Sequence, residues 1–243
     1  MNENEMKKTS GMAQLFETLV ALLKRLFGGS TKQTAEKSAQ VEATPKPKEA
    51  PEVATTETSR VLMEIKNHTL VDAKWCPSPN FNERPDENDI NLLVVHNISL
   101  PPRKFGGPYI EELFCNTLNC NVDPSFKSLE GVKVSAHLLI RRDGQVLQFV
   151  PFNKRAWHAG VSEYEGRNNC NDFSIGIELE GADDIDYEPV QYQVLAEVTD
   201  ALLDYYPNMA ANRIAGHCDI APKRKTDPGQ AFDWSKYKNL IAV

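Results

Sequence analysis

The sequence lacks a long apolar run, an excess of positive charge and a set of paired cysteines, and each absence excludes something. A bilayer-spanning helix needs about 20 consecutive apolar residues. The segment 12–27 is shorter than that and carries Glu17, Lys24 and Arg25. It has no secretory layout either, because Glu3 and Glu5 dilute the basic start and no small-x-small cleavage site follows closely. Lys and Arg number 27 against 34 Asp and Glu, a formal net charge of −7. Residues 1–60 hold 9 basic and 8 acidic side chains, so the remainder holds 18 and 26. An acidic domain argues against nucleic acid as the main partner, since phosphate binding needs a basic face. The five cysteines (Cys76, Cys115, Cys120, Cys170 and Cys218) are odd in number and form no CxxC pair. That pattern fits reduced thiols in a cytoplasmic setting better than a disulfide framework.

Aromatic residues are absent from 29–60, a stretch of Ser, Thr, Ala, Glu, Lys and Pro. Such a composition cannot bury enough apolar area to offset the entropy of ordering, and reads as a flexible linker. Before it, Met12, Phe16, Leu19, Leu23, Leu26 and Phe27 recur at helical spacing, and Gly28-Gly29 ends the pattern. The expectation is an amphipathic helix over about 12–27 that contacts a membrane surface, contacts a protein, or docks on its own domain. The division is therefore an N-terminal extension, 1–60, and a globular domain, 61–243.

In the globular part, Asn91-Leu-Leu-Val-Val-His96 reads as a buried strand presenting His96 and Asn97 at its carboxyl end. Tyr109 to Thr117 reads as a helix. Val134–Ile140, Asp143-Gly144 and Val146–Val150 give a hairpin, with His137 inside its first strand in a packing role. Trp157-His158-Ala-Gly160 suits a groove wall. In Phe173–Glu180, Ile175, Ile177 and Leu179 point one way and Gly176, Glu178 and Glu180 the other. A carboxylate within an apolar strand costs free energy unless it has a cation or a task. Glu178 is thus a candidate general base, and Glu180, nearer the strand end, is expected to be solvated. Helices are expected over Pro189–Tyr206 and Trp234–Ile241.

Near the end, Ile214-Ala-Gly-His-Cys-Asp-Ile-Ala-Pro222 and Lys223-Arg-Lys-Thr-Asp-Pro-Gly229 place His217, Lys225 and Asp227 on loops punctuated by Gly and Pro. Proline after Asp227 biases its backbone away from helix. His96, His217 and Asp227 together offer two nitrogens and one carboxylate oxygen. Three protein ligands with a place left for water is the pattern of a catalytic zinc site, not a structural one. Glu178 would accept a proton and Lys225 would face an oxyanion, a set sufficient to hydrolyse an amide.

Leu93–Pro102, Phe105–Pro108, Val134–His137, Ile140–Gly144, Arg155–Val161, Cys170–Gly181, Gly216–Pro222 and Lys225–Gly229, in that order, resemble the AmpD family of 1,6-anhydro-N-acetylmuramyl-L-alanine amidases. The resemblance runs from about Val71 to Trp234 and leaves 1–60 uncovered. It implies an α/β fold with a mixed central sheet flanked by helices, as in the peptidoglycan-recognition proteins. It implies one catalytic Zn2+ on His96, His217 and Asp227, with Glu178 and Lys225 catalytic. Substrate contacts would fall on Asn97, Lys133, Trp157 and His158. Lys133 and Asn169 stand where relatives commonly have arginines, so the grip on peptide carboxylates differs here. The implied reaction cleaves the muramyl lactyl–L-alanine amide in cell-wall recycling, in the cytoplasm, and the amphipathic pattern at 12–27 leaves a peripheral contact with the inner membrane open. Alternatives are an amidase on intact peptidoglycan and a muropeptide-binding protein without turnover.

Overall fold

The computed structural model describes residues 63–242. The helix expected at 12–27 and the linker expected at 29–60 lie outside the described residues. A six-stranded mixed sheet forms the centre. Its strands are β1 (Lys74–Trp75), β2 (Leu92–Ile98), β3 (Leu138–Ile140), β4 (Val146–Gln148), β5 (Ser174–Glu180) and β6 (Ile214–Gly216). They lie in the order β6-β2-β5-β3-β4-β1, with β3 and β4 antiparallel and every other neighbouring pair parallel. The helices are α1 (Tyr109–Phe114), α2 (Pro189–Tyr205), α3 (His217–Ile220) and α4 (Trp234–Leu240).

The two central strands are apolar on both faces because both are covered. Leu93, Val95, Ile175, Ile177 and Leu179 join Leu195, Val198 and Leu202 of α2 and Tyr237 of α4 in one core. Burial of each such leucine or valine stabilises the fold by roughly 1.5–3 kcal/mol. Leu92 and Val94 face a smaller cluster with Ala159, Cys170, Phe173 and Ile220. Helix α2 starts with Pro189 in its first turn, where a missing N–H costs nothing. At its start the Gln191 side chain accepts from Glu188 N at 3.0 Å, while Gln191 N donates to the Glu188 backbone carbonyl at 3.0 Å.

The hairpin forms, but its first strand is shorter than the apolar run. Ser135 N donates to the Trp157 carbonyl and His137 N to that of Gly176, so this stretch serves three segments and does not continue one ladder. His137 is fully buried, accepts from Gly176 N through Nδ1 at 3.0 Å and has Nε2 3.0 Å from the Lys154 carbonyl. Burial pushes its pKa down to about 3.

Glu180 departs from expectation. It is 2 % exposed, not solvated. Its carboxylate accepts from Arg141 Nη1 at 2.8 Å and from Gly106 N at 2.6 Å, and Arg141 also pairs with Glu111 and donates to the Gly107 carbonyl. One buried ion network thus ties the 99–108 loop and α1 to the end of β5. Arg141→Met leaves Glu180 buried without its cation and is expected to destabilise the protein by ~3–5 kcal/mol, read by urea denaturation. A loss under about 1 kcal/mol, the size of a surface pair, would show that the network is incidental.

Candidate metal centre

Strand pairing sets the site. In the parallel β5–β2 register Glu178 lies opposite His96, so both side chains leave the same face of the sheet. Next to β2, β6 ends at Gly216 and delivers His217 at the start of α3. The 225–229 loop then returns beneath it. Cys218 N donates to the Asp227 carbonyl at 2.9 Å, while Asn97 Nδ2 and the Tyr187 hydroxyl donate to the Pro228 carbonyl at 3.0 and 2.7 Å. Gly229 is obligatory in this path: its φ is +83°, and a Cβ there would lie 2.1 Å from Asp183 Cα.

The result is a triangle of donor atoms. His96 Nδ1 and His217 Nδ1 are 2.9 Å apart, and Asp227 Oδ2 lies 3.1 and 3.0 Å from them. The histidine side chains are 1 and 2 % exposed and that of Asp227 13 %. Protons can be counted around this triangle. Arg224 Nη2 has two hydrogens, and the carbonyls of Ala159 and Val161 take both, at 2.6 and 2.8 Å. His217 Nε2 lies 3.4 Å from Arg224 Nη2, whose hydrogens are taken by those shorter contacts, and 3.1 Å from the Ala159 carbonyl, which can only accept, so His217 Nε2 donates to Ala159. The Nδ1 lone pair then points into the triangle, toward a carboxylate. Burial pushes His217 down to about 4, against the pull of Asp227, so the ring is neutral at pH 7. A lone pair and an ionised carboxylate 3.0 Å apart repel unless a cation lies between them. Two imidazole nitrogens and one carboxylate oxygen, with the far nitrogen of a ligand tied to a carbonyl, are the donor set and outer bonding of a metal site. Among the described residues, His96, His217 and Asp227 form the only such cluster.

Glu178 stands beside it. Its Oε2 is buried and accepts no hydrogen bond from the described residues. Burial above all raises its pKa, to about 7; His96 and Lys225 pull it down and Asp227 pushes it up. A carboxyl whose folded pKa exceeds its unfolded value binds more protons when folded, so it costs stability as pH rises from about 4.5 through about 7. In metal-free protein Glu178→Gln removes that cost. The variant is expected to exceed the parent by ~1–3 kcal/mol at pH 8 and to match it at pH 4, by denaturation in chelator. Equal stability at both pH values would contradict a desolvated Glu178 carboxyl. Lys225 is half-buried on the return loop, with its charge acting on both Glu178 and His217.

The expected substrate contacts separate. Asn97 is occupied in bracing the loop, donating to Asp183 Oδ1 at 2.9 Å as well as to Pro228. Trp157 is half-buried, with Nε1 donating to Asn82 Oδ1 at 2.7 Å. Lys133 is exposed and lines a cavity of about 420 Å³ with Leu113, Asn116, Cys120, Lys127 and Leu129, none of which belongs to the triangle. His158 does not stand on a groove wall. It is 8 % exposed, its Nδ1 is 2.9 Å from His96 Nε2, and its Nε2 is 3.2 Å from Ser174 Oγ. Burial holds its pKa well below the ordinary value, as do the neighbouring His96 and His137. Asn171, not anticipated, fixes this loop: its Oδ1 accepts from the backbone N–H of both His158 and Ala159.

A converging metal-type triad beside a half-buried carboxylate whose Oε2 is shielded from solvent, on a mixed sheet, is the arrangement of a hydrolase. Comparison with known proteins agrees. The sequence model of N-acetylmuramoyl-L-alanine amidase matches residues 86–230. The 1,6-anhydro-N-acetylmuramyl-L-alanine amidase AmpD of Escherichia coli K12 is 57 % identical over 180 residues, 74 % of this chain and 98 % of the relative. AmpD of Haemophilus influenzae is 49 % identical, across 75 and 99 % of the two chains. A crystal structure of selenomethionine AmpD superposes with a TM-score of 0.72 at 56 % identity, covering 74 % of this chain and all of that one. The solution structure of Citrobacter freundii AmpD gives 0.55 at 56 % identity, with 74 and 95 % covered. The chain therefore belongs to the N-acetylmuramoyl-L-alanine amidase family, and within it to the AmpD amidases. It is an amidase. No helix among the described residues is long and apolar enough to cross a membrane.

Proposed function

We propose that the protein hydrolyses the amide between the lactyl group of 1,6-anhydro-N-acetylmuramic acid and L-alanine in muropeptides released during cell-wall recycling, using one zinc ion on His96, His217 and Asp227. The observation that carries this reading is the convergence of His96 Nδ1, His217 Nδ1 and Asp227 Oδ2, which lie 2.9, 3.0 and 3.1 Å from one another. A zinc ion held by these three residues would supply Lewis-acid polarisation of the amide carbonyl and a lowered pKa for water. Glu178, poised near neutrality on the same sheet face, takes a proton from the attacking water and passes it to the departing alanine nitrogen. Lys225 opposes the negative charge that builds on the carbonyl oxygen. Gly229 and Asn97 keep Asp227 and Lys225 on a fixed loop, so the charges are set before substrate arrives. Lys133 and the cavity beside it suit the peptide end of the substrate, as a point charge in place of a guanidinium fork.

Reaction in H2-18O tests the bond assignment. The label is expected in the new carboxylate of the muramyl lactyl group, with an unlabelled peptide beginning at L-alanine. Label in the peptide, or cleavage at another amide, would overturn it. The extension 1–60 acts as a tether in a cytoplasmic enzyme, so a 61–243 protein is expected to keep turnover on soluble muropeptide. Loss of turnover with the fold intact would refute the tether.

A further inference from the structure

The hydrogen-bond chain behind His96 has a direction. Ser174 has one hydroxyl hydrogen, and its Oγ lies 2.5 Å from the Cys170 carbonyl, which can only accept. That hydrogen is therefore spent. Facing His158 Nε2 at 3.2 Å, Ser174 Oγ must then accept, and His158 carries its hydrogen on Nε2. His158 Nδ1 is left as an acceptor, 2.9 Å from His96 Nε2, which must donate. His96 then has its free lone pair on Nδ1, the atom 2.9 Å from His217 Nδ1 and 3.1 Å from Asp227 Oδ2. Reversing any one link would put a hydrogen inside the triangle where a metal must sit.

The backbone makes room for this chain. A Cβ at Gly176 would lie 2.4 Å from His158 Nδ1 and 2.5 Å from its Cγ, so the imidazole occupies the space a side chain on β5 would fill. Gly176 shares its strand face with Glu178, and a bare position between two isoleucines is what lets the ring reach His96. The ring also lies edge-on to His96, with centroids 5.0 Å apart. Asn171 fixes its backbone from the other side.

We infer that His158 and Ser174 are positioning residues: a fixed chain from the Cys170 carbonyl through Ser174 and His158 holds His96 in the tautomer with Nδ1 free, and so sets metal affinity. This rests on the metal reading above and assigns His158 a task other than touching substrate.

Long-range proton–nitrogen NMR on the full chain, zinc-loaded and labelled at histidine, reads the tautomers directly. His96 and His158 are both expected to carry hydrogen on Nε2 and none on Nδ1. Hydrogen on Nδ1 of either ring would overturn the inference while leaving the amidase reading intact. Zinc dissociation constants from chelator competition supply the second arm. His158→Phe keeps an aromatic ring without an acceptor and is expected to weaken zinc binding 10–100-fold. Ser174→Ala frees the His158 ring and is expected to weaken it by a smaller factor. His158→Gln, whose amide oxygen can accept from His96 Nε2, is expected to restore most of the affinity. Equal affinity in parent and His158→Phe, or equal losses in the Phe and Gln variants, would reduce His158 to packing. A parent that binds no zinc would instead sink the metal reading, separately from the tautomer result.

Discussion

Glu178→Gln is expected to lower turnover by roughly 10²–10⁴-fold, the usual contribution of a positioned proton-transfer group, while metal content stays at one ion per chain. The amide keeps the size of the side chain and removes only its basicity. Its place opposite His96 in the β5–β2 register is fixed by backbone pairing, so the substitution leaves the triangle standing. Nothing among the described residues hydrogen-bonds Glu178 Oε2, so no partner of that oxygen is stranded by the change. The combined outcome, metal retained and turnover lost, separates a proton carrier from a ligand. Turnover within tenfold of the parent would remove Glu178 from the mechanism. Loss of metal with turnover would make it part of the coordination sphere.

Asp227→Asn is expected to abolish measurable turnover and to erase metal-dependent stabilisation. The parent, in zinc at a thousandfold excess over its dissociation constant, gains ~4 kcal/mol by mass action. The asparagine variant loses the anionic donor at 3.0 Å from His217 and 3.1 Å from His96, leaving two neutral nitrogens. Melting curves with and without chelator read this directly: a large difference in the parent, almost none in the variant. A parent whose melting temperature ignores chelator would contradict the metal centre, whatever its activity.

The parts of this site that were legible in sequence are those where a polar residue interrupts an apolar pattern. His96 follows a four-residue apolar run, Leu92–Val95, within β2, and Glu178 sits in the middle of β5. His217, Lys225 and Asp227 were visible as chemistry on a Gly- and Pro-punctuated loop. Long range order was not visible. Glu180 has the same strand position logic as Glu178 but is neutralised by Arg141, 39 residues earlier, and nothing local announces that pairing. His158 looked like part of a groove wall beside Trp157 because its neighbours in sequence are surface-loop residues. Its real neighbours, His96, Ser174 and Gly176, come from two other strands. Gly176 was the available clue, since a bare glycine in an apolar strand marks a close approach. Strands of two or three residues, such as β1 and β6, are too short to show any alternation.

Metal-assisted hydrolysis of an anhydromuropeptide amide can be read by mass spectrometry of the zinc-loaded protein with an anhydromuramyl tripeptide and, in parallel, with intact sacculi, each with and without chelator. The expected result is release of the tripeptide from the anhydro compound, abolished by chelator, and no release from sacculi. Release from sacculi at a comparable rate would contradict the recycling role and move the enzyme to wall remodelling. Binding of the anhydro compound without release would contradict the hydrolytic mechanism itself.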